Sequence, residues 1–409
     1  MRHTLEKQTP SSERSTIKMK RHIYLDNAAT TKIRPEAMAE YVRVSEELWG
    51  NPSSLHSLGS DAERVLTTAK QTILNTLGAK DSEIIFTASG TEANNIAIIG
   101  RALSKERYKK GAKIITTLGE HASVSMPLEE LKKQGFKIAA LSTKDGKIDM
   151  DELARELTPD VILVSVMMVN NETGAVYNIP AIARAMRAKC PEAILHVDAT
   201  QGYMKIPFTK VGIGADLITI SSHKIEGPKG VGALIVGKDV LKKRGIAPIV
   251  HGGGQEMGLR SGTENVPGIA AFAEAARLAH SELSDRIKKM STLRDRLIER
   301  ISTDEKLSEI SLTLPENHAP HILNLTLPAI KSETMLHYLS SEGIFVSSGS
   351  ACSSNGGHLS SALTAYGRSS EDADSSVRIS FSPSNTEEDV DVLAEALCRG
   401  LERLARIKR

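Results

Sequence analysis

Between Arg34 and about His280 the chain alternates two hydrophobic rhythms. Amphipathic runs with apolar residues at helical spacing are separated by short runs that stay apolar on both faces: EIIFTAS, KIITT, KIAALS, VILVSVMMV, AILHVDA, LITISS and GALIVG. A strand with one wet face alternates. These runs do not, so they predict strands buried on both sides in a mainly parallel α/β sheet with helices covering each face. From Gly268 a longer run, IAAFAEAARLAHSELSDRIKKMSTLRDRLIERI, keeps helical spacing for about eight turns and predicts one helix leading out of this first domain. The remainder, with HILNLTL, IFVSSGS, VRISFS and a last helix from Thr386 to about Ile407, predicts a small α+β unit.

Composition narrows the picture. The 409 residues carry 52 Lys+Arg against 50 Asp+Glu, a net charge of +2 that gives no electrostatic case for a nucleic-acid or membrane partner. The length predicts two or three domains. Aromatics are only 3%, which leaves aliphatic side chains to build the core. No stretch reaches the roughly 18 apolar residues of a membrane span. Cys190, Cys352 and Cys398 are too few and too scattered for a disulfide framework or a paired zinc site, and they point to a reducing, cytoplasmic setting with no bound metal. Residues 1–20 lack the apolar centre of a secretory signal. They read as a disordered arm, a short transit peptide, or a leader ahead of a working start at Met19.

Four places carry candidate chemistry, each with an ordinary alternative. In FTASGTEANN a strand gives way through Gly90 and Thr91 to a helix start, where free N–H groups and the positive helix end suit a phosphate; a plain N-cap reads the same way. In ILHVDATQ a buried strand delivers Asp198 and then Gln201, and a carboxylate there needs a hydrogen-bonding or cationic partner such as a protonated pyridine nitrogen; a helix cap is the alternative. In LITISSHKIEGPKG a strand ends in Ser221, Ser222, His223 and Lys224, a lysine placed for Schiff-base chemistry unless it is a surface loop residue. In VSSGSACSSNGGHLSS, Cys352 sits within small residues, a poor burial site that suits a reactive thiol or reflects accident. Lysine, acid and phosphate seat together are what pyridoxal phosphate needs. Cys190 and Cys398 read as packing residues.

These stretches, with YLDNAATT, GNPSSLHSLG, EHASV, VNNETG, HVDATQ and GGGQEMGLRSGTENV, resemble the cysteine desulfurases of the pyridoxal-phosphate aminotransferase superfamily, collinearly from about residue 22 to 405. The resemblance implies a transferase fold of fold type I, with a mainly parallel seven-stranded sheet in a large domain over 35–268. An N-terminal segment over 21–34 would pack on a small domain, and 269–409 would supply a linking helix and that domain. Lys224 would bind the cofactor and later move the substrate's Cα proton, Asp198 would pair with the ring nitrogen, and His121 would stack on the ring. Gln201 would bond the phenolic oxygen, Asn171 would lie beside cofactor and substrate, and Arg378 would clamp the substrate carboxylate. Gly90, Thr91, Ser221 and His223 would hold the phosphate, with Thr263 reaching in from a second subunit of a homodimer. The implied reaction converts L-cysteine to L-alanine, leaves a persulfide on Cys352, and passes sulfur to an acceptor protein in iron-sulfur cluster assembly or tRNA thiolation.

The wording around Cys352 resembles the longer-loop class, although SSNGGHLSS replaces the acidic-proline-serine segment of many relatives. After Arg378 the chain reads ISFSPSNT, without the arginine-bearing turn common in that family. The stop at Arg409 leaves less tail than relatives that dock an iron-sulfur scaffold. An aminotransferase of the same fold would use Lys224, Asp198 and an arginine but not Cys352. A selenocysteine lyase or a scaffold without chemistry are the other readings.

Overall fold

The computed structural model of the chain describes residues 22–104, 112–348 and 360–407. After the short strand β1 (Ile23–Tyr24) come helices α1 (Pro35–Glu47) and α2 (Ser57–Thr76), then β2 (Ser82–Thr87) and α3 (Gly90–Leu103). Next are β3 (Lys113–Thr117), α4 (Ala122–Lys133), β4 (Lys137–Leu141), β5 (Val161–Met167), β6 (Ile194–Asp198), β7 (Leu217–Ser221) and β8 (Gly232–Gly237). β2 to β8 are the expected apolar runs, and they join into one seven-stranded sheet in the order β2-β8-β7-β6-β5-β3-β4. Neighbours from β7 to β4 are parallel, and β8 runs antiparallel to both β7 and β2. Residues 222–231 are too short for a crossover, so β8 must fold back on β7 as a hairpin.

Every residue of β5, β6, β7 and β8 is buried. β4 departs from the expected two-sided burial, since only Leu141 is fully enclosed and Lys137 is exposed. It is an edge strand with one neighbour, and a lysine there discourages pairing with another chain.

The helix expected from Gly268 is two helices, Val266–Ser281 and Leu283–Thr303, broken at Glu282. No glycine or proline marks the break. Glu282 instead bonds Arg34 at 3.0 Å and Arg286 at 3.4 Å. The apolar core changes hands at this break: Val266 to Ala279 pack into the cluster around the large sheet, while Met290 to Ile301 pack into a second cluster. That second cluster lies against an antiparallel sheet in the order β12-β13-β10-β9, from β9 (Ser311–Thr313), β10 (Ile322–Thr326), β12 (Ser347–Ser348) and β13 (Ser376–Ser380). Ile23 and Leu25 belong to it as well, because β1 pairs in parallel with β11 (Ile344–Phe345).

The chain therefore returns its N-terminal segment to the C-terminal unit. This places Asp26 to Ala29 over the carboxyl ends of the central parallel strands, where open α/β sheets bind ligands. Among the described residues no helix is long and apolar enough to cross a membrane.

Candidate active site

A cavity of about 360 Å³ opens at the carboxyl ends of β5, β6 and β7. Gly90, Thr91, His121, Asn171, Asp198, Gln201, Ser221, His223, Lys224 and Arg378 all line it. Residues spread over almost the whole sequence thus converge on one space. Thr263 does not line this cavity; it stands exposed in the loop before Val266. Cys352 lies outside the described residues.

One end of the cavity forms where β2 turns into α3. Ser89 caps the helix by accepting from the Glu92 N–H at 3.1 Å, and Arg260 pairs with the Glu92 carboxylate at 2.9 Å. A Cβ on Gly90 would come within 3.3 Å of Thr200 and 3.4 Å of Ser221, so the first turn presses directly on the strand ends. Gly232 on β8 matters equally and is not marked by the periodicity: a Cβ there would lie 2.4 Å from the Ser89 carbonyl carbon. The Ser221 hydroxyl is buried without a hydrogen-bond partner among the described residues. His223 is pushed down to about 4 by burial, with Lys224, Lys229 and Lys205 adding to the shift, and its Nδ1 lies 3.1 Å from the Thr30 hydroxyl.

At the base, Asp198 accepts from the Thr200 N–H at 2.9 Å and from Asn94 Nδ2 at 2.8 Å. Both donors fix the orientation of its side chain at the base of the cavity. Lys224 donates to the carbonyls of Ala28 and Ala29, each at 2.7 Å. Gln201 Nε2 donates to the same Ala28 oxygen at 2.8 Å, and its Oε1 accepts from His321 Nε2 at 3.2 Å. Part of the Gln201 amide is therefore engaged within the chain.

Arg378 marks the far end. Its Nη1 donates to the Asn171 carbonyl at 2.9 Å and its Nη2 to Asp26 at 2.9 Å, while its Nε is buried with no hydrogen-bond partner among the described residues. Burial pushes the Asp26 carboxyl up and Arg378 pulls it back. Burial also raises Glu172 to about 7; its carboxylate accepts from Ser360. Beside His121, burial raises Glu120 to about 8, and this carboxyl accepts from Thr117 and from the Met167 N–H. Lys205 is fully enclosed and pushed down to about 7 by burial, with Arg286 and Lys224 adding to it.

Sequence reasoning missed Asp26, Asn94, Ser123, Glu120, Glu172 and His321. All but His321 sit inside quoted motifs, Asp26 in YLDNAATT, Asn94 in FTASGTEANN, Glu120 and Ser123 in EHASV and Glu172 in VNNETG, so the motifs marked their neighbourhood without marking the roles. Cys190 is buried with its thiol 3.1 Å from the Thr158 carbonyl, and burial pushes Cys398 up to about 11. Neither offers a ready thiolate.

The donor set suits one kind of guest: a phosphate at the Gly90 helix start with Ser221 unsatisfied beside it, a protonated aromatic nitrogen at Asp198, an aldehyde at Lys224 and a substrate carboxylate near Arg378. Pyridoxal phosphate fits these residues. Among the described residues no cluster suited to a metal ion occurs.

Comparison with known proteins points the same way. The model of the aminotransferase class-V family matches residues 23–393. A cysteine desulfurase IscS of Dictyoglomus turgidum is 39% identical over 391 residues, covering 95% of this chain and 97% of the relative. A solved NifS-like protein superposes with a TM-score of 0.86 at 34% identity, over 93% of this chain and 100% of that one. SspA, solved in complex with cysteine, superposes with a TM-score of 0.73 at 29% identity, over 89% of this chain and 100% of SspA.

Proposed function

From the premise that this chain belongs to the aminotransferase class-V family and is one of its pyridoxal-phosphate-dependent cysteine desulfurases, we propose that Cys352 receives the sulfur of L-cysteine and hands it to an acceptor protein of iron-sulfur cluster assembly or tRNA thiolation in the cytoplasm. The observation that carries the reading is the meeting of Lys224, Asp198 and Arg378 in one cavity at the strand ends. When bound, pyridoxal phosphate supplies an electron sink for the carbon that bears the substrate amine. The protein's own residues do the rest. Arg378, with its unpartnered Nε, orients the carboxylate of L-cysteine, and Asp26 holds the guanidinium still. Lys224 would move the Cα proton, and Asp198 would hold a proton on the cofactor's ring nitrogen.

Purified protein supplied with pyridoxal phosphate should convert L-cysteine to L-alanine, with sulfide released when a thiol is added. Borohydride reduction should fix a pyridoxyl group on Lys224. Mapping of that group to another lysine would sink the site assignment, and amino exchange with keto acids exceeding sulfide release would replace the reaction with a transamination.

We also propose that the working unit is a dimer in which Thr263 completes the neighbour's phosphate site. Exposure of Thr263 outside its own cavity supports this, as does the exposure of large apolar side chains at Trp49 (67%), Leu55 and Met257. Lys224→Ala chains mixed with Thr263→Ala chains should then regain activity. One site of each heterodimer carries both lesions and the other carries none, so statistical exchange should restore about a quarter of the wild-type sites. A fully active monomer would refute the arrangement.

A further inference from the structure

His121 precedes α4 and caps it with its own ring. We infer that Ser123 and Asn94 are positioning residues that lock His121 as a neutral ring with its proton on Nε2 and tie that ring to Asp198. The inference rests on the reading of His121 as the residue that faces the cofactor.

The proton positions follow from one fixed donor. The Ser123 backbone N–H can only donate, so His121 Nδ1, 3.1 Å away, accepts and carries no proton. The Ser123 hydroxyl lies 2.8 Å from the same nitrogen and must donate to it as well. With its single hydrogen used, that hydroxyl accepts from Asn94 Nδ2 at 2.8 Å. The second hydrogen of the same amide nitrogen goes to Asp198 Oδ2, also at 2.8 Å. A reversed Asn94 amide would set its oxygen against the Asp198 carboxylate, so the chain runs in one direction only.

Surrounding charge favours the same state. The positive end of α4 opposes an imidazolium at its cap. Burial lowers the basicity of His121, and Lys224 beyond β7 and Arg378 on β13 act in the same direction. Asp198 on β6 opposes them, and the net direction is down. Glu120, the preceding residue, adds little negative charge because burial keeps its carboxyl protonated up to about 8.

A neutral ring accepts a proton only through its lone pair. Here that lone pair points at the Ser123 donors. His121 therefore offers the site a fixed flat surface and an Nε2–H donor, and a proton shuttle through this ring would have to give up the Ser123 N–H contact and reverse the hydroxyl one.

Nitrogen-15 NMR of ring-labelled, cofactor-loaded protein tests this, with the His121 signals identified by their loss in His121→Gln. We expect a bare Nδ1 and a protonated Nε2 throughout the neutral pH range. Ser123→Ala should make protonation about tenfold easier, moving the ring's titration up by about one pH unit, and Ser123→Thr should restore it. A protonated Nδ1, an imidazolium already present at neutral pH, or a titration unmoved in Ser123→Ala overturns the inference. The ring is read directly, so this result stands whether or not L-cysteine turns over; failure of the desulfurase reading would show as missing alanine instead.

Discussion

Asp198→Asn should keep its cofactor and lose at least about a hundredfold in L-cysteine turnover. The carboxylate accepts from the Thr200 N–H and from Asn94 Nδ2, at 2.9 and 2.8 Å. An asparagine has one acceptor for two fixed donors, so whichever way its amide turns, an N–H meets an N–H. Its neutrality matters more, because a neutral amide would not favour a proton on the cofactor's ring nitrogen as a carboxylate would. The same change should move His121 further down, since Asp198 is the group that raises it. Absorbance of the bound cofactor, alanine yield and the His121 titration together check the prediction. Near-normal turnover would show that Asp198 is not the ring partner.

Local chemistry was legible in the sequence wherever one short segment carried it. The strands of the large sheet showed as apolar runs, although β4 is a half-exposed edge, with Asp198 at the end of one strand and Lys224 just after another. What stayed hidden depends on chain segments meeting from afar. Arg378 meets Asp26 across 352 positions, and Asn94 meets Asp198 across 104. Periodicity assigns a residue to a face but does not say which strand end stands opposite. Gly232 escaped notice for a related reason: it answers to a close approach of the Ser89 backbone rather than to any turn of its own. The break at Glu282 was invisible because HSEL holds no glycine or proline to mark it, and the glutamate is engaged by Arg34, 248 positions away, and by Arg286. Glu120 reads as a polar loop residue until the strands beside it close over its carboxyl.

Cys352→Ser should bind L-cysteine and yet form almost no alanine or sulfide, the largest loss expected from any single cysteine of the chain. Net transfer forms a bond between the enzyme and substrate sulfurs, breaks the carbon–sulfur bond of L-cysteine, and leaves its electron pair on the carbon fragment that is protonated to alanine. That step needs a soft, polarisable nucleophile with thiolate character. A serine hydroxyl is neither soft nor ionised near neutral pH. The other two thiols cannot stand in for it. Cys190 is buried against the Thr158 carbonyl and pushed up by burial, and Cys398 is pushed up to about 11 with Asp304 beside it. Cys190→Ser and Cys398→Ser should accordingly turn over L-cysteine close to the wild-type rate. Adding L-cysteine to Cys352→Ser should still change the cofactor absorbance, since Arg378, Lys224 and Asp198 are untouched, and this separates binding from sulfur transfer. Full alanine production by Cys352→Ser without added thiol, or its loss in Cys190→Ser or Cys398→Ser, would move the nucleophile elsewhere.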